Sequence, residues 1–193
     1  PGYYETFTWS PWLWQAGGDV VRDGRQVFDG EPARKTLRMW QTAIEEGITP
    51  RTLPAAADTV AAFKDGLAGM WLSGIWDVAN FRAFAPKLKY GVFRFPIPEG
   101  GKYVTTHGGW AFGANALGRD PETAAKFCAF ALGSSRRDCV QRMVDWCTVA
   151  KTDMAPRKSV LEEGEKQGGY DFWALRKFKD DIFPGARAEP RYP

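Results

Sequence analysis

The side chains that most often carry catalysis or bind metals are scarce in this sequence. It has one His, His107, and three Cys without a C-x-x-C pair, so no metal-ligand spacing is present. The acidic residues fall mainly on polar helix faces or at helix caps, and neither a G-x-S-x-G elbow nor a phosphate-binding glycine loop occurs. We therefore expect no catalytic residue, no metal and no cofactor.

The cysteines and the histidine are better explained as structural residues. Cys139 and Cys147 lie eight positions apart, about two helical turns, which disfavours a bridge between them within one helix. Together with Cys128 they are expected to be small buried hydrophobic residues, and they do not decide the redox compartment. His107 is expected to be a hydrogen-bonded structural residue, since no partner suggests catalysis.

Aromatic residues are the unusual feature of the composition. The 193 residues include nine Trp, and Trp9, Trp12 and Trp14 fall within six positions. Trp suits pockets that hold flat apolar faces, and one face of a pyranose is a patch of C–H groups. Core packing is the default for any single Trp, so at least one of these three is expected to be core. The clustering nevertheless favours a Trp-lined site for a sugar.

The remaining composition is that of an ordinary globular protein. Hydrophobic residues make up 44% and charged residues 25%, and the net charge is +3. Because Lys and Arg are spread and interleaved with Asp and Glu, a nucleic-acid partner is not indicated. No window of about 18 apolar residues occurs, so no membrane-spanning helix is predicted.

Apolar periodicity predicts helices that alternate with a few short strands, an α/β pattern. The predicted helices with both ends assigned are Trp9–Gln15, Glu31–Glu46, Pro121–Leu132 with Asp120 as its cap, and an aromatic one from Tyr170 to Phe183. Three more are predicted to begin at Asp58 or Thr59, near Trp76, and after a capping box of Ser135 and Asp138. A charged helix is predicted to end at Lys166. Strands are predicted as a hairpin around Asp23-Gly24, at Ala68–Leu72, at Lys89–Phe95, and at Tyr103–Ala114 with Gly108 and Gly109 inside it.

Six segments carry a resemblance to a known family. They are WLWQAGGDVV, FKDGLAGMWLSGIWD, KYGVFRFPIP, THGGWAFGAN, PETAAKFCAFALGSS and MAPRKSV. Their order and spacing resemble those of the solute-binding proteins of bacterial ABC importers, the sugar-binding family that includes maltose-binding protein. The resemblance implies a two-lobe, type II periplasmic-binding-protein fold that closes on its ligand about a hinge.

The same resemblance implies a division of the chain between lobes. Residues 1–103 are expected to form the second lobe, and residues 104–150 a strand and helices that cross into the first. Residues 151–193 are expected to return toward the hinge. The N-terminal part of the first lobe is expected to be absent, and so is the signal sequence. The first-lobe segments that are present would then lack the sheet on which they should pack, which would leave an apolar patch exposed.

The resemblance also implies which residues touch ligand, and a structural explanation stands beside each. Trp76 follows a strand-turn and is expected to stack on sugar, or else to pack the core as a helix N-terminal residue. Asp77 could accept hydroxyl hydrogen bonds or complement a helix N-terminus. Gly108 and Gly109 could expose backbone to a ligand or form a bulge. The full set of candidate ligand-binding residues is Trp9, Trp12, Trp14, Trp76, Asp77, Gly108, Gly109, Trp110 and Arg157, the last of which could instead form a surface salt bridge.

The function expected from the residues and the resemblance is that of a receptor. It would capture a sugar or sugar derivative in a Trp-lined cleft between the lobes and deliver it to the transmembrane permease subunits of an ABC importer. Its location would be periplasmic or on the cell surface. The alternative is a carbohydrate-active enzyme with a Trp-lined cleft, which needs two carboxylates facing one glycosidic bond.

Overall fold

The computed structural model describes residues 3–52 and 59–189, which mix helices with short strands. The α/β prediction is confirmed, and helices predominate. The chain divides into two compact units. Unit 1 comprises the described residues within Pro1–Leu72, Tyr90–Gly108 and Asp180–Pro193, and unit 2 comprises Ser73–Lys89 and Gly109–Lys179. The assignment of segments to lobes stays a prediction.

Unit 1 contains three helices and two small sheets. Its elements are α1 (Tyr3–Gln15), β1 (Val21–Arg22), β2 (Arg25–Gln26), α2 (Glu31–Glu45), α3 (Thr59–Lys64), β3 (Thr105–His107) and β4 (Ala186–Ala188). The hairpin predicted around Asp23-Gly24 is confirmed, since β1 and β2 pair antiparallel. The helix predicted from Trp9 begins earlier, at Tyr3, and α2 is confirmed.

Helix α1 has a proline in its interior, and the rest of unit 1 compensates for it. Pro11 has no N–H to donate to the carbonyl of Phe7, four residues earlier. The hydroxyl of Thr106, in β3, donates to that carbonyl at 3.0 Å. After α1, Gly17 takes a positive φ of 83° and the amide of Gly18 donates to Leu13 O at 2.9 Å, which ends the helix.

The segment between Tyr90 and Val104 is attached to α1 without forming a sheet. Gln15 is 1% exposed, its Nε2 donates to Pro96 O at 3.0 Å, and its Oε1 accepts from Val104 N at 3.4 Å. Strand β3 then pairs in parallel with β4, Thr105 opposite Ala186. The strand predicted at Lys89–Phe95 is wrong, because these residues pair with no strand; the chain just after them is attached to α1 through the Gln15 side chain instead.

Two further strand predictions need correction. Ala68–Leu72 has no strand, and the amides of Leu67 and Ala68 instead bond back to Ala62 O after α3. The strand predicted at Tyr103–Ala114 is limited to β3, which ends at His107. Both errors share a cause: a short apolar run indicates burial, whereas a strand also requires an adjacent partner strand.

Unit 2 is helical. It contains α4 (Asp77–Phe84), α5 (Pro121–Gly133), α6 (Arg137–Asp145), α7 (Lys158–Lys166) and α8 (Trp173–Lys177). A π-helical turn, Trp146–Ala150, continues α6, and a second one, Phe178–Ile182, follows α8 in the sequence. The helices predicted near Trp76, from Pro121 and up to Lys166 are confirmed, while the predicted aromatic helix begins at Trp173 rather than at Tyr170.

The core of unit 2 lies among α4, α6, α7 and α8. Its fully buried side chains include Val144, Val160, Ala174 and Leu175. Gly164 of α7 permits close contact with Tyr170, because a Cβ at Gly164 would lie 3.1 Å from that ring. Burial raises the pKa of the Tyr170 hydroxyl, so it stays a neutral hydrogen-bond donor to Asp153 O at 3.3 Å.

Helix α5 buries none of its residues. Its predicted cap is confirmed, since Asp120 Oδ1 accepts from Thr123 N at 2.9 Å. Its apolar residues at helical spacing are only partly covered: Ala124, Cys128 and Ala131 are half-buried, and Phe127 is 61% exposed. Exposed apolar residues also follow Gly109, namely Trp110, Phe112 and Leu117. The capping box predicted from Ser135 is wrong, because Asp138 pairs with the Arg136 guanidinium at 3.0 Å instead.

Candidate functional site

Trp76 and Asp77 lie in a sharp turn at the start of α4, which we call the Trp76 turn (Ser73–Asn80). The amides of Asp77 and Val78 each donate at 3.1 Å, to Gly74 O and Ile75 O respectively. The indole of Trp76 is half-buried and lies over Gly74, where a Cβ would come within 2.7 Å of its Cε3. Glycine at this position therefore leaves room for the ring in the placement that the structure shows.

Asp77 is fully engaged within this turn. It is 5% exposed. One carboxylate oxygen accepts from the Ser73 hydroxyl, and the other accepts from Asn80 Nδ2 at 2.8 Å. An acid at this position also complements the helix N-terminus. A direct ligand contact by Asp77 stays a prediction, while the bonds in the structure stabilise the turn that carries Trp76.

A residue that the sequence did not single out completes the turn. The Thr152 hydroxyl accepts from Ala79 N at 3.1 Å and lies 2.8 Å from Ile75 O, to which it can donate. At the other end of α4, Arg82 Nη1 donates to Thr148 O at 3.3 Å. Thr148 and Thr152, which follow α6 in the sequence, therefore bond to both ends of α4. These pairs are more than 60 residues apart in sequence, so no local pattern could reveal them.

The double glycine lies just after β3 rather than inside a strand. In unit 1, a Cβ at Gly108 would lie 2.9 Å from the Phe7 ring. In unit 2, Gly109 has open space around it, and Trp110 is 78% exposed. Gly108 thus permits close packing on α1, while Gly109 and Trp110 offer an uncovered backbone and an accessible aromatic ring. Their contact with ligand stays a prediction.

The three clustered Trp residues of α1 have different environments. Trp14 is core at 5% exposure, which answers which of the three is buried. Trp9 is half-buried, and its Nε1 donates to Thr36 Oγ1 of α2 at 3.0 Å. Trp12 packs edge-on against Phe95 with ring centroids 5.3 Å apart, and its buried Nε1 has no hydrogen-bond partner among the described residues. Trp12 therefore retains a donor that a hydroxyl could satisfy.

Trp14 belongs to a charged network. Its Nε1 donates to Asp19 Oδ1 at 3.3 Å, and Arg187 donates to both Asp19 oxygens at 2.8 and 3.1 Å. The Arg187 guanidinium also lies 4.6 Å from the centroid of the Trp14 ring. Burial opposes ionisation of Asp19, but the bonds from Arg187 and Val20 and the Arg187 charge outweigh it and lower its pKa from 3.8. This network connects β4 to the end of α1.

Arg157 connects two helices in unit 2. Its Nη1 donates to Leu132 O at 2.9 Å and to Ser134 O at 3.0 Å, which satisfies carbonyls at the end of α5. Its Nη2 donates to Ser159 Oγ at 3.0 Å, at the start of α7. These three acceptors are uncharged oxygens, so the described contacts of Arg157 connect the end of α5 to the start of α7. Its proposed ligand contact stays a prediction.

The remaining chemistry-bearing side chains show no catalytic arrangement in the described part of the chain. Cys139 and Cys147 are buried as expected, Cys128 is half-buried, and all three are free. Burial raises the pKa of Cys147 to about 11, so its thiol stays neutral near pH 7. His107 is exposed and packs edge-on against Phe183 with centroids 5.5 Å apart.

The described residues contain neither a metal-ligand cluster nor a helix that could span a membrane. Across 3–52 and 59–189, no three or more His, Cys, Asp or Glu side chains are grouped as metal ligands. In the same residues, no helix is both long and apolar enough to cross a membrane.

Comparison with known proteins identifies the family. Residues 5–135 match the profile of the bacterial extracellular solute-binding proteins. The chain belongs to this family. Family membership indicates a solute-binding component of an ABC transporter that acts outside the cytoplasm, with a small-molecule ligand and permease subunits as partners. The family is generally non-enzymatic. No solved structure matches the chain.

Proposed function

We propose that this solute-binding protein captures a sugar or sugar derivative and that Trp76 stacks on it. The observation that carries the proposal is the Trp76 turn: a half-buried indole that packs over Gly74 at a hydrogen-bonded helix start. A ring that already packs against its own turn has less conformational entropy to lose when a ligand binds. Its apolar face matches the C–H face of a pyranose.

Trp110 and Trp12 are secondary candidates for ligand contact. Trp110 exposes most of its ring beside the uncovered backbone of Gly109, which could bond sugar hydroxyls. Trp12 offers a buried indole N–H without a described acceptor, and satisfying such a donor is favourable. We further propose that the ligand promotes closure of the two lobes implied by the family and is then delivered to the permease.

A thermal-shift screen of the purified protein tests the sugar assignment. The panel contains glucose, maltose, cellobiose, glucuronate, sorbitol and glycerol 3-phosphate. A saturable rise in Tm with one chemical class, with the compound recovered unchanged, supports a sugar receptor. No rise with any compound contradicts the assignment. Release of a hydrolysis product would instead support the enzyme alternative.

Substitution of Trp76 tests the site. Trp76→Ala should weaken binding of the stabilising panel compound about tenfold or more, because the stacking face is lost. Trp146→Ala is the matched control: Trp146 lies in the same unit, about half-exposed, and is not a candidate contact. Unchanged affinity in Trp76→Ala together with a lowered Tm would show that Trp76 packs the fold instead.

A further inference from the structure

Helix α4 begins with a residue that cannot cap it. The N-cap position is occupied by Trp76, whose side chain makes no capping hydrogen bond. The first two amides, of Asp77 and Val78, find acceptors in the turn that precedes them. The third, Ala79 N, donates to the Thr152 hydroxyl at 3.1 Å. A side-chain oxygen bonded to the N3 amide is the usual role of an N-cap Ser or Thr, and here it comes from a distant part of the chain.

Thr152 is held in an unusual conformation at this point. Its side chain and backbone are completely buried, and its φ of 53° lies in the left-handed region, which is unfavourable for a β-branched residue. Such a conformation persists where the surroundings fix it, and it often occurs at functional sites. Thr152 N donates to Trp146 O at 3.2 Å, directly after the π-helical turn Trp146–Ala150. Single π-helical turns are likewise frequent near functional sites.

The geometry points to Thr152 as a positioning residue for Trp76: it caps α4 from a distance and so fixes the turn that orients the indole. The hydroxyl oxygen accepts from Ala79, and its single hydrogen can serve Ile75 O at 2.8 Å or Lys151 O at 2.7 Å. The hydroxyl can therefore bond on both sides of Trp76, to Ile75 before it in the sequence and to Ala79 after it. The consequence for ligand affinity rests on the proposed function, whereas the orientation of the indole does not.

Fluorine NMR of protein labelled with 5-fluorotryptophan reports changes in the surroundings and motion of the Trp76 indole without any ligand. Trp76→Phe removes one resonance and so assigns Trp76. Thr152→Val keeps the shape of the side chain but removes the hydroxyl, and we expect the Trp76 resonance to shift or broaden. Thr152→Ser keeps the hydroxyl, so we expect its Trp76 resonance to match that of the wild type. Val160→Ala is the control, because Val160 is buried in the same unit and its truncation lowers stability without removing the cap.

Each result decides between a positioning and a merely structural role. A Trp76 resonance that changes in Thr152→Val but in neither Thr152→Ser nor Val160→Ala supports the inference. A Trp76 resonance that is unchanged in Thr152→Val, or that changes equally in Val160→Ala, overturns it. If Thr152→Val does not fold, Thr152→Ala is read by the same criteria.

A binding measurement separates this inference from the proposed function. For the panel compound that stabilises the wild type, Thr152→Val should weaken affinity roughly three- to tenfold, and Thr152→Ser should weaken it less. If Trp76→Ala leaves affinity unchanged while Thr152→Val still moves the Trp76 resonance, the proposed role of Trp76 in binding fails and the positioning role stands. If Trp76→Ala weakens binding but Thr152→Val changes neither affinity nor the resonance, the positioning role fails alone.

Discussion

Replacing Asp19 by Asn should destabilise unit 1 in a way that depends on pH. Asp19 accepts hydrogen bonds from Val20 N at 2.8 Å, from Trp14 Nε1 at 3.3 Å and from Arg187 Nη2 at 2.8 Å. Asn has the same shape and keeps one acceptor oxygen for Val20 N and Trp14 Nε1, but it loses both the charge and the second oxygen that pair with Arg187. The substitution therefore removes the ion pair while the other bonds can remain.

The magnitude follows from the exposure of the two partners. The Asp19 side chain is 17% exposed and the Arg187 side chain 46%, so the pair is partly screened and should contribute about 0.5–1 kcal/mol. Losing the charge also weakens the bonds from Val20 and Trp14, which adds a similar amount because bonds to a charged acceptor are stronger. We expect Asp19→Asn to lower the free energy of unfolding by about 1–2 kcal/mol near pH 7.

The sign of the pH dependence follows from the pKa of Asp19, which folding lowers from 3.8. A lowered pKa means that the stabilisation is fully present above the unfolded value and is lost as the pH falls through the folded value. Urea unfolding, followed by tryptophan fluorescence and far-UV circular dichroism from about pH 7 to about pH 3, should therefore show the wild type and the variant converging in acid.

A matched control and a clear refutation are available. Asp138 also pairs with a neighbouring arginine, but the Arg136 and Asp138 side chains are 67% and 52% exposed, so Asp138→Asn should have a smaller effect. A difference between wild type and Asp19→Asn that stays constant from neutral to acid pH would refute the electrostatic reasoning. The bonds to Asp19 would then contribute only through shape and packing.

Two further substitutions test the packing of the two units. Gln15→Leu should lower the free energy of unfolding by about 1–3 kcal/mol, because Pro96 O and Val104 N lose their side-chain partner. Gln15→Glu should lose at least as much, because it buries a carboxylate against Pro96 O; an unchanged urea midpoint in either variant would argue against these bonds. Phe127→Ala should change the free energy of unfolding by less than about 0.5 kcal/mol, because its ring is largely exposed. The smaller truncation Val144→Ala should cost more than about 1 kcal/mol, because Val144 is buried. Urea titration measures both, and a large loss at Phe127 would show that α5 is covered.

Much of the helical structure could be predicted from local sequence signals. Helix α2 begins with Pro32 in its first turn and ends before Gly47, and the backbone at Gly47 has the positive φ that such an end requires. The Asp120 cap of α5 and the Asp23-Gly24 hairpin depend on neighbours within a few residues. These elements follow from side chains that bond to or constrain their own stretch of backbone.

Outside the Asp23-Gly24 hairpin, strand positions could not be predicted accurately, because a strand is defined by its partner. Thr105 and Ala186 pair across 81 positions of sequence, whereas the more apolar run at Ala68–Leu72 finds no partner strand. The apolar stripe of α5 was correctly identified as helical, but its exposure depends on what other elements cover it. Hydrophobic pattern predicts a tendency to be buried, and tertiary neighbours decide whether burial occurs.

For the site, the sequence by itself determined the family, the helix start at Trp76 and the clustering of Trp residues in α1. Only the tertiary structure decided that Trp14 is core, that both Asp77 oxygens are engaged, and that Thr152 supplies the missing cap of α4. The physical reason is that propensities and caps act within a few residues, whereas hydrogen-bond partners such as Thr152 and Ala79 meet only after the chain folds.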